Sequence, residues 1–160
     1  MAPWVAPLCF DGLEEVFAED VVKMHDALVA ERGFCPQMHE SQAEETSGRV
    51  ASVVSSAFGS FFGMSPRERY RDFFDQVADF AAHLSKGHIF PDANKRTTVA
   101  ATISVVRAAG YTLDIDDDDD PESNQLYWWI QDIVTDSRET KELAEVLRRH
   151  AVPLDPVDRS

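Results

Sequence analysis

Leu13, Phe17, Val21, Met24 and Leu28 recur every three or four residues. That spacing returns to one face of an α-helix and predicts a helix of about five turns, ended by Gly33. A polar connector follows. A weaker amphipathic stretch from about Gln42 to Phe58 places Val50, Val53, Val54 and Ala57 on one side. Gly59-Ser-Phe-Phe-Gly63 interrupts the period. Ser65-Pro66-Arg67-Glu68 then reads as a helix start, with Ser at the N-cap, Pro at the first helical position and Glu at the third. The helix opened there is expected to bury Phe73, Phe74, Val77, Phe80, Ala81 and Leu84.

Lys86-Gly87-His88-Ile89-Phe90-Pro91 cannot continue as helix, because Pro91 pushes Phe90 toward an extended conformation. A new helix is expected from Ala93 to Ala109, with Gly110 at the position just past its end. Thr97 to Val106 carries no charge, which marks this helix as the buried central one. Tyr111–Ile115 alternates as a short extended piece, and Asp116–Asp120 with Pro121 is a loop. Leu126, Trp129, Ile130 and Ile133 mark one more helix, and Leu143, Val146 and Leu147 the last. Trp128 and Trp129 cannot share a face, so one belongs to the core and the other to the surface. The predicted fold is all-α: a single-domain bundle of about six helices over residues 12–151. Residues 1–11 and 152–160 read as tails.

The composition fits a globular chain, 44% hydrophobic and 10% aromatic, over 160 residues. Charge changes the picture more. There are 29 acidic residues against 15 Lys and Arg, a net charge of −14. Such a chain repels phosphate backbones and anionic membranes at long range, so neither nucleic acid nor a membrane is the expected partner. Residues 1–20 and 111–136 hold this entire excess, and residues 21–110 are balanced. Cys9 and Cys35 have no metal or disulfide-framework spacing and are expected as unpaired thiols. No apolar run reaches membrane-spanning length, and the N-terminus lacks the pattern of a signal peptide. The expected location is cytoplasmic.

The candidate chemistry lies in His88-Ile-Phe-Pro-Asp92-Ala-Asn94-Lys95-Arg96-Thr97. A helix N-terminus presents unsatisfied N–H groups and a partial positive charge, which suits an anion. Lys95 and Arg96 in the first turn oppose the helix dipole unless a polyphosphate is bound there. Asp92 is a hard oxygen donor suited to Mg²⁺ shared with phosphates. His88 is a natural general base. Together these residues suggest phosphoryl or nucleotidyl transfer. The alternative is structural: Asp92 as an N-cap, Phe90 as a core anchor and His88 as a loop histidine.

HIFPDANKRT resembles the signature HxFx(D/E)(A/G)N(K/G)R of the Fic/Doc (Fido) superfamily, and Ala-Asn-Lys-Arg-Thr is most similar to the Doc (death-on-curing) toxins of type II toxin–antitoxin systems. The resemblance implies a Fido fold over about residues 20–150. It implies that His88 is the base acting on a target hydroxyl. Asp92 would position Mg²⁺. Ala93 and Asn94 would form the anion hole, Lys95 and Arg96 would contact phosphate, and Phe90 would anchor the loop. Lys95 stands where AMP-transferring Fic enzymes have Gly, and Val99 and Ala100 replace their second Arg region. This favours transfer of the γ-phosphate of ATP to a Ser or Thr of a protein. Among Doc toxins that target is elongation factor Tu, and the result is translation arrest. AMP transfer and a non-catalytic binding module are the alternatives. A small antitoxin is the other implied partner.

Ile89 and Thr98 depart from the commonest residues at their positions. The N-terminal extension and the acidic loop lie outside the signature. Ser41-Gln-Ala-Glu-Glu45 partly matches a Fic inhibitory pattern, but Thr46 occupies its last position. Phe61 and Phe62 are candidates for a target-docking flap, and His83 for a residue lining the site. The other histidines are read as surface or partly buried. The local balance of residues 21–110 leaves the site free of the acidic field beyond a Debye length of about 8 Å.

Overall fold

The computed structural model describes residues 4–31, 40–90, 93–116, 120 and 123–155. Asp92, Cys35, His39, Gly33 and most of the acidic loop lie outside the described residues, as do the side chains of Glu40 and Ser41. The elements run α1 (Glu14–Glu31), α2 (Glu40–Phe58), α3 (Pro66–Arg69), α4 (Phe73–Lys86), α5 (Asn94–Ala108), β1 (Tyr111–Leu113), α6 (Gln125–Val134), α7 (Thr140–His150) and β2 (Ala151–Pro153). The fold is all-α, with one small antiparallel pair. Tyr111 sits opposite Pro153, and Leu113 opposite Ala151.

The centre is α4, which packs against α2, α5, α6 and α7. Ten of its fourteen residues are buried, against seven of fifteen in α5. The uncharged α5 is central too, but the aromatic α4 is deeper. Phe58 and Phe80 meet edge-on at 5.1 Å, and Phe10 stacks on Phe58 at 4.7 Å. The start signal at Ser65 is real, yet it opens only one turn. Tyr70 is extended, and the chain restarts at Asp72, whose carboxylate accepts the Asp75 N–H at 3.0 Å. One expected helix is therefore two, and the described residues form seven helices.

Described residues of both segments read as tails make contacts with the bundle. Gln76, wholly buried on α4, accepts the Leu8 N–H at 2.7 Å and donates to the carbonyls of Leu8 and Ala57. One amide thus joins the N-terminal segment, α2 and α4. Leu154 is buried as well, and its N–H donates to Gly110. Gln76→Ala should cost about 2–4 kcal/mol, because three backbone groups lose their partner while one N–H stays buried. Urea unfolding checks this. A loss under about 1 kcal/mol would mean that water replaces the amide.

Tyr70 donates to the Asp79 carboxylate at 2.7 Å. Burial, that hydrogen bond and the Asp79 charge push its phenol above the ordinary value. The folded chain therefore keeps a proton that the unfolded chain releases near pH 10. This contribution is complete below about pH 10 and is lost as pH rises further. Tyr70→Phe should flatten the alkaline decline in stability, read by urea unfolding at several pH values from neutral upward.

Candidate active site

The signature segment links the C-terminal end of α4 to the start of α5. Its backbone is unusual: His88 has φ 47° and Ala93 has φ 57°, both left-handed. A left-handed non-glycine residue costs energy, so neighbouring contacts must hold it. Three do so. Asn94 closes the loop on itself: its Oδ1 accepts the Phe90 N–H at 3.0 Å, and its Nδ2 donates to the Phe90 carbonyl at 2.8 Å. The Phe90 ring is buried and lies flat on His25, centroids 4.0 Å apart and planes 9° from parallel. Arg49, from α2, donates to the carbonyls of Gly87 and His88. Those carbonyls close the negative end of α4, where a cation is electrostatically favoured.

Ala93 is the N-cap of α5, and its methyl side chain cannot cap the helix. Asp92, read above as a cap or a metal ligand, lies outside the described residues. The α5 first turn borders a cleft of 280 Å³ lined by His88, Ala93, Asn94, Lys95, Arg96 and Tyr127, among others. The cleft thus brings together every described residue of the signature assigned to base or phosphate. Lys95 reaches α6, donating its ammonium to Gln131 and lying 5.4 Å from the Tyr127 ring centre. Both partners are neutral. The Asn94 side chain is occupied with Phe90, so it offers an anion its backbone N–H and one remaining amide hydrogen. Asn94→Ala should cost about 1–3 kcal/mol and free the loop, read as faster amide exchange at Phe90. Unchanged exchange there would show that the Asn94 bonds do not hold the loop.

A second cleft, of 260 Å³, also borders His88 and is lined by Gln42, Glu45, Thr46, Arg49, His88, Ile89 and Phe90. His88, exposed, is common to both clefts.

Phe61 and Phe62 are not at this site. α2 starts beside the signature loop and runs away from it, and α4 returns over fourteen residues, about 20 Å. Residues 59–64 sit at the far end, where Arg69 donates to the Ser56 and Gly59 carbonyls. There Phe61 and Met64 pair around a two-residue turn, with Phe62 fully exposed at φ 51°. His83 lines neither cleft; it pairs with Asp79 on the exposed side of α4.

Sequence reasoning missed Arg49, His25, Tyr127 and Gln131. His25 had a signal. The buried face of α1 is Ala18, Val21, His25 and Val29, a helical spacing that includes the histidine. That face is rotated from the expected one, and Leu13 is exposed. Arg49 gave none, because a single cation on a polar helix face looks the same whether it meets solvent or a carbonyl.

A model of the Fic/DOC family matches residues 15–105, more than half of the chain. The chain belongs to the Fic/DOC family. It is similar to "Protein kinase doc" of Escherichia phage P1, 29% identical over 99 residues, 61% of this chain and 70% of that protein. The matched family region carries α1 to most of α5, with the loop and its Arg49 and His25 supports. Tyr127, which lines the first cleft, and Gln131, which accepts from Lys95, lie on α6 beyond it. Trp129 of α6 is buried and Trp128 half exposed. Among the described residues no helix is long and apolar enough to cross a membrane, and Cys9 is an exposed free thiol.

Proposed function

We propose that this protein is a Doc-like transferase that moves the γ-phosphate of ATP to a Ser or Thr hydroxyl of a protein. One observation carries the reading: a helix N-terminus bearing Asn94, Lys95 and Arg96, with Ala93 at its N-cap, opens into the same cleft as His88. Phosphates would lie against the α5 N–H groups and the two cations. Lys95 would exchange a neutral amide and an aromatic face for phosphate oxygens, a stronger, charge-assisted contact. His88 would take the proton of the acceptor hydroxyl. Among the described residues no group of three or more His, Cys, Asp or Glu is gathered to hold a metal. Mg²⁺ would therefore arrive with ATP, held by phosphates and by Asp92, as is usual for this ion. When bound, it would offset charge on the phosphates.

The relative's printed name, "Protein kinase doc", supports phosphate over AMP. The resemblance of the signature to Doc toxins suggests a translation factor such as elongation factor Tu as the target, with growth arrest as the outcome. A small antitoxin would be the neutralising partner, and the cytoplasm the place of action. The test is incubation with Mg-ATP and a cell lysate, followed by mass spectrometry of modified proteins. Phosphate on a hydroxyl is expected. Adenylate would move the protein to the AMP-transferring branch, and no modification would sink the enzyme reading. Lys95→Met should weaken ATP binding and slow transfer about tenfold, the loss of one charge-assisted contact. Unchanged binding would leave Lys95 a tether to α6 only.

A further inference from the structure

Two clefts share His88 and differ in charge. On the α5 side lie a positive helix end and, among the described residues, two cations. On the α2 side the described lining holds one cation and one carboxylate, Arg49 and Glu45. Arg49 is committed to the Gly87 and His88 carbonyls. Glu45 is exposed and forms no ion pair among the described residues. Glu45 and Arg49 leave that lining without the excess of positive charge found on the α5 side, so the α5 side is the better place for the phosphate chain of the donor. Phosphoryl transfer is in-line: the entering and leaving oxygens approach phosphorus from opposite sides. With phosphates on the α5 side, the α2-side cleft is another opening from which an acceptor hydroxyl can reach the exposed His88.

We infer that the α2-side cleft is the acceptor site, and that Glu45 selects hydroxyl-bearing protein segments with a Lys or Arg close to the acceptor residue. The inference rests on the transfer reading above. In the step it serves, the acceptor O–H gives its proton to the His88 imidazole as its oxygen bonds to the γ-phosphorus. The bond from that phosphorus to the bridging oxygen breaks, and ADP leaves with the electron pair. Glu45 touches none of these atoms. It holds the neighbouring cation, which sets the register of the segment against His88. Arg49 adds to the selection by repelling a second cation deeper in the cleft.

The test labels a cell lysate with the full-length protein and Mg-ATP, maps each modified site, and repeats this with Glu45→Gln and Glu45→Arg. Binding of a fluorescent ATP analogue is measured alongside. Wild-type sites should carry Lys or Arg within about three residues of the acceptor. Labelling of those sites should fall about threefold in Glu45→Gln and at least about tenfold in Glu45→Arg, with ATP affinity changed by less than about twofold. Sites lacking a nearby cation, or equal labelling by Glu45→Arg, would overturn the acceptor assignment and leave the transferase reading standing. A large change in ATP affinity would place the nucleotide in this cleft instead and overturn it too. If wild type modifies nothing while Mg-ATP binds, the transferase reading itself falls, and the acceptor site with it.

Discussion

His88→Ala should lower transfer to protein by about 10²–10⁴-fold while leaving the fold intact, the range expected on losing a positioned general base. The side chain is exposed and borders open clefts, so its removal creates no cavity. Stability should stay within about 0.5 kcal/mol of wild type. Backbone strain needs a control, because His88 sits at φ 47°. Asn tolerates that region better than most residues, so His88→Asn keeps the loop geometry without a base. Both variants should bind the fluorescent ATP analogue and fail to modify protein. In cells both should relieve any growth arrest that the wild type causes. Full transfer by His88→Asn would remove His88 from the reaction. Lost nucleotide binding in both would make it a binding residue instead.

Arg148→Ala should destabilise the protein by about 3 kcal/mol, the scale expected when a buried carboxylate loses its only strong partner. Asp72 begins α4, and its side chain is 8% exposed. It accepts from Arg148 Nε and Nη2, each at 2.9 Å, while capping the Asp75 N–H. Arg148 is itself 17% exposed and also reaches Glu145. Burial works against its charge, but hydrogen bonds to Glu145 and Asp72 outweigh that and hold its pKa above the ordinary value. The pair ties α7, the last helix, to the start of α4, the deepest one. Its removal should drop Tm by about 10 °C for a chain of this size. The double variant Asp72→Asn with Arg148→Met keeps an N-cap and buries no charge, so it should recover more than half of the loss. Thermal and urea unfolding of the set measures this. A loss below about 1 kcal/mol would class the pair with exposed ion pairs.

Much of the bundle was legible from periodicity. α1, α2, α5, α6 and α7 lie where apolar spacing put them, and Gly110 takes its expected place at φ 91°. The ends were misread because packing at residues 4–10 depends on Gln76, far along the chain, and no local pattern records such a partner. The split of α3 from α4 was missed for a related reason. Phe73, Phe74, Val77 and Phe80 are in helical register, but Tyr70 leaves the helix to reach Asp79. The Phe61–Phe62 assignment failed on distance: two aromatic residues ahead of the signature helix are adjacent in order and a helix length away in space.

The residues from His88 to Thr97 already carried the proposed chemistry, since a histidine, hard and cationic side chains and a helix start within ten positions are a local fact that no folding can rearrange far. Which groups support that loop was settled by packing. Arg49 and His25 come from helices more than thirty residues away, and they are chosen by the surfaces that α1 and α2 turn toward α4 and α5. Two clefts border His88 for the same reason: α6 contributes to the lining of one and α2 to that of the other. Chain order constrains neighbours within a turn or two. The remaining geometry comes from burying apolar faces against each other, an interaction without direction along the sequence.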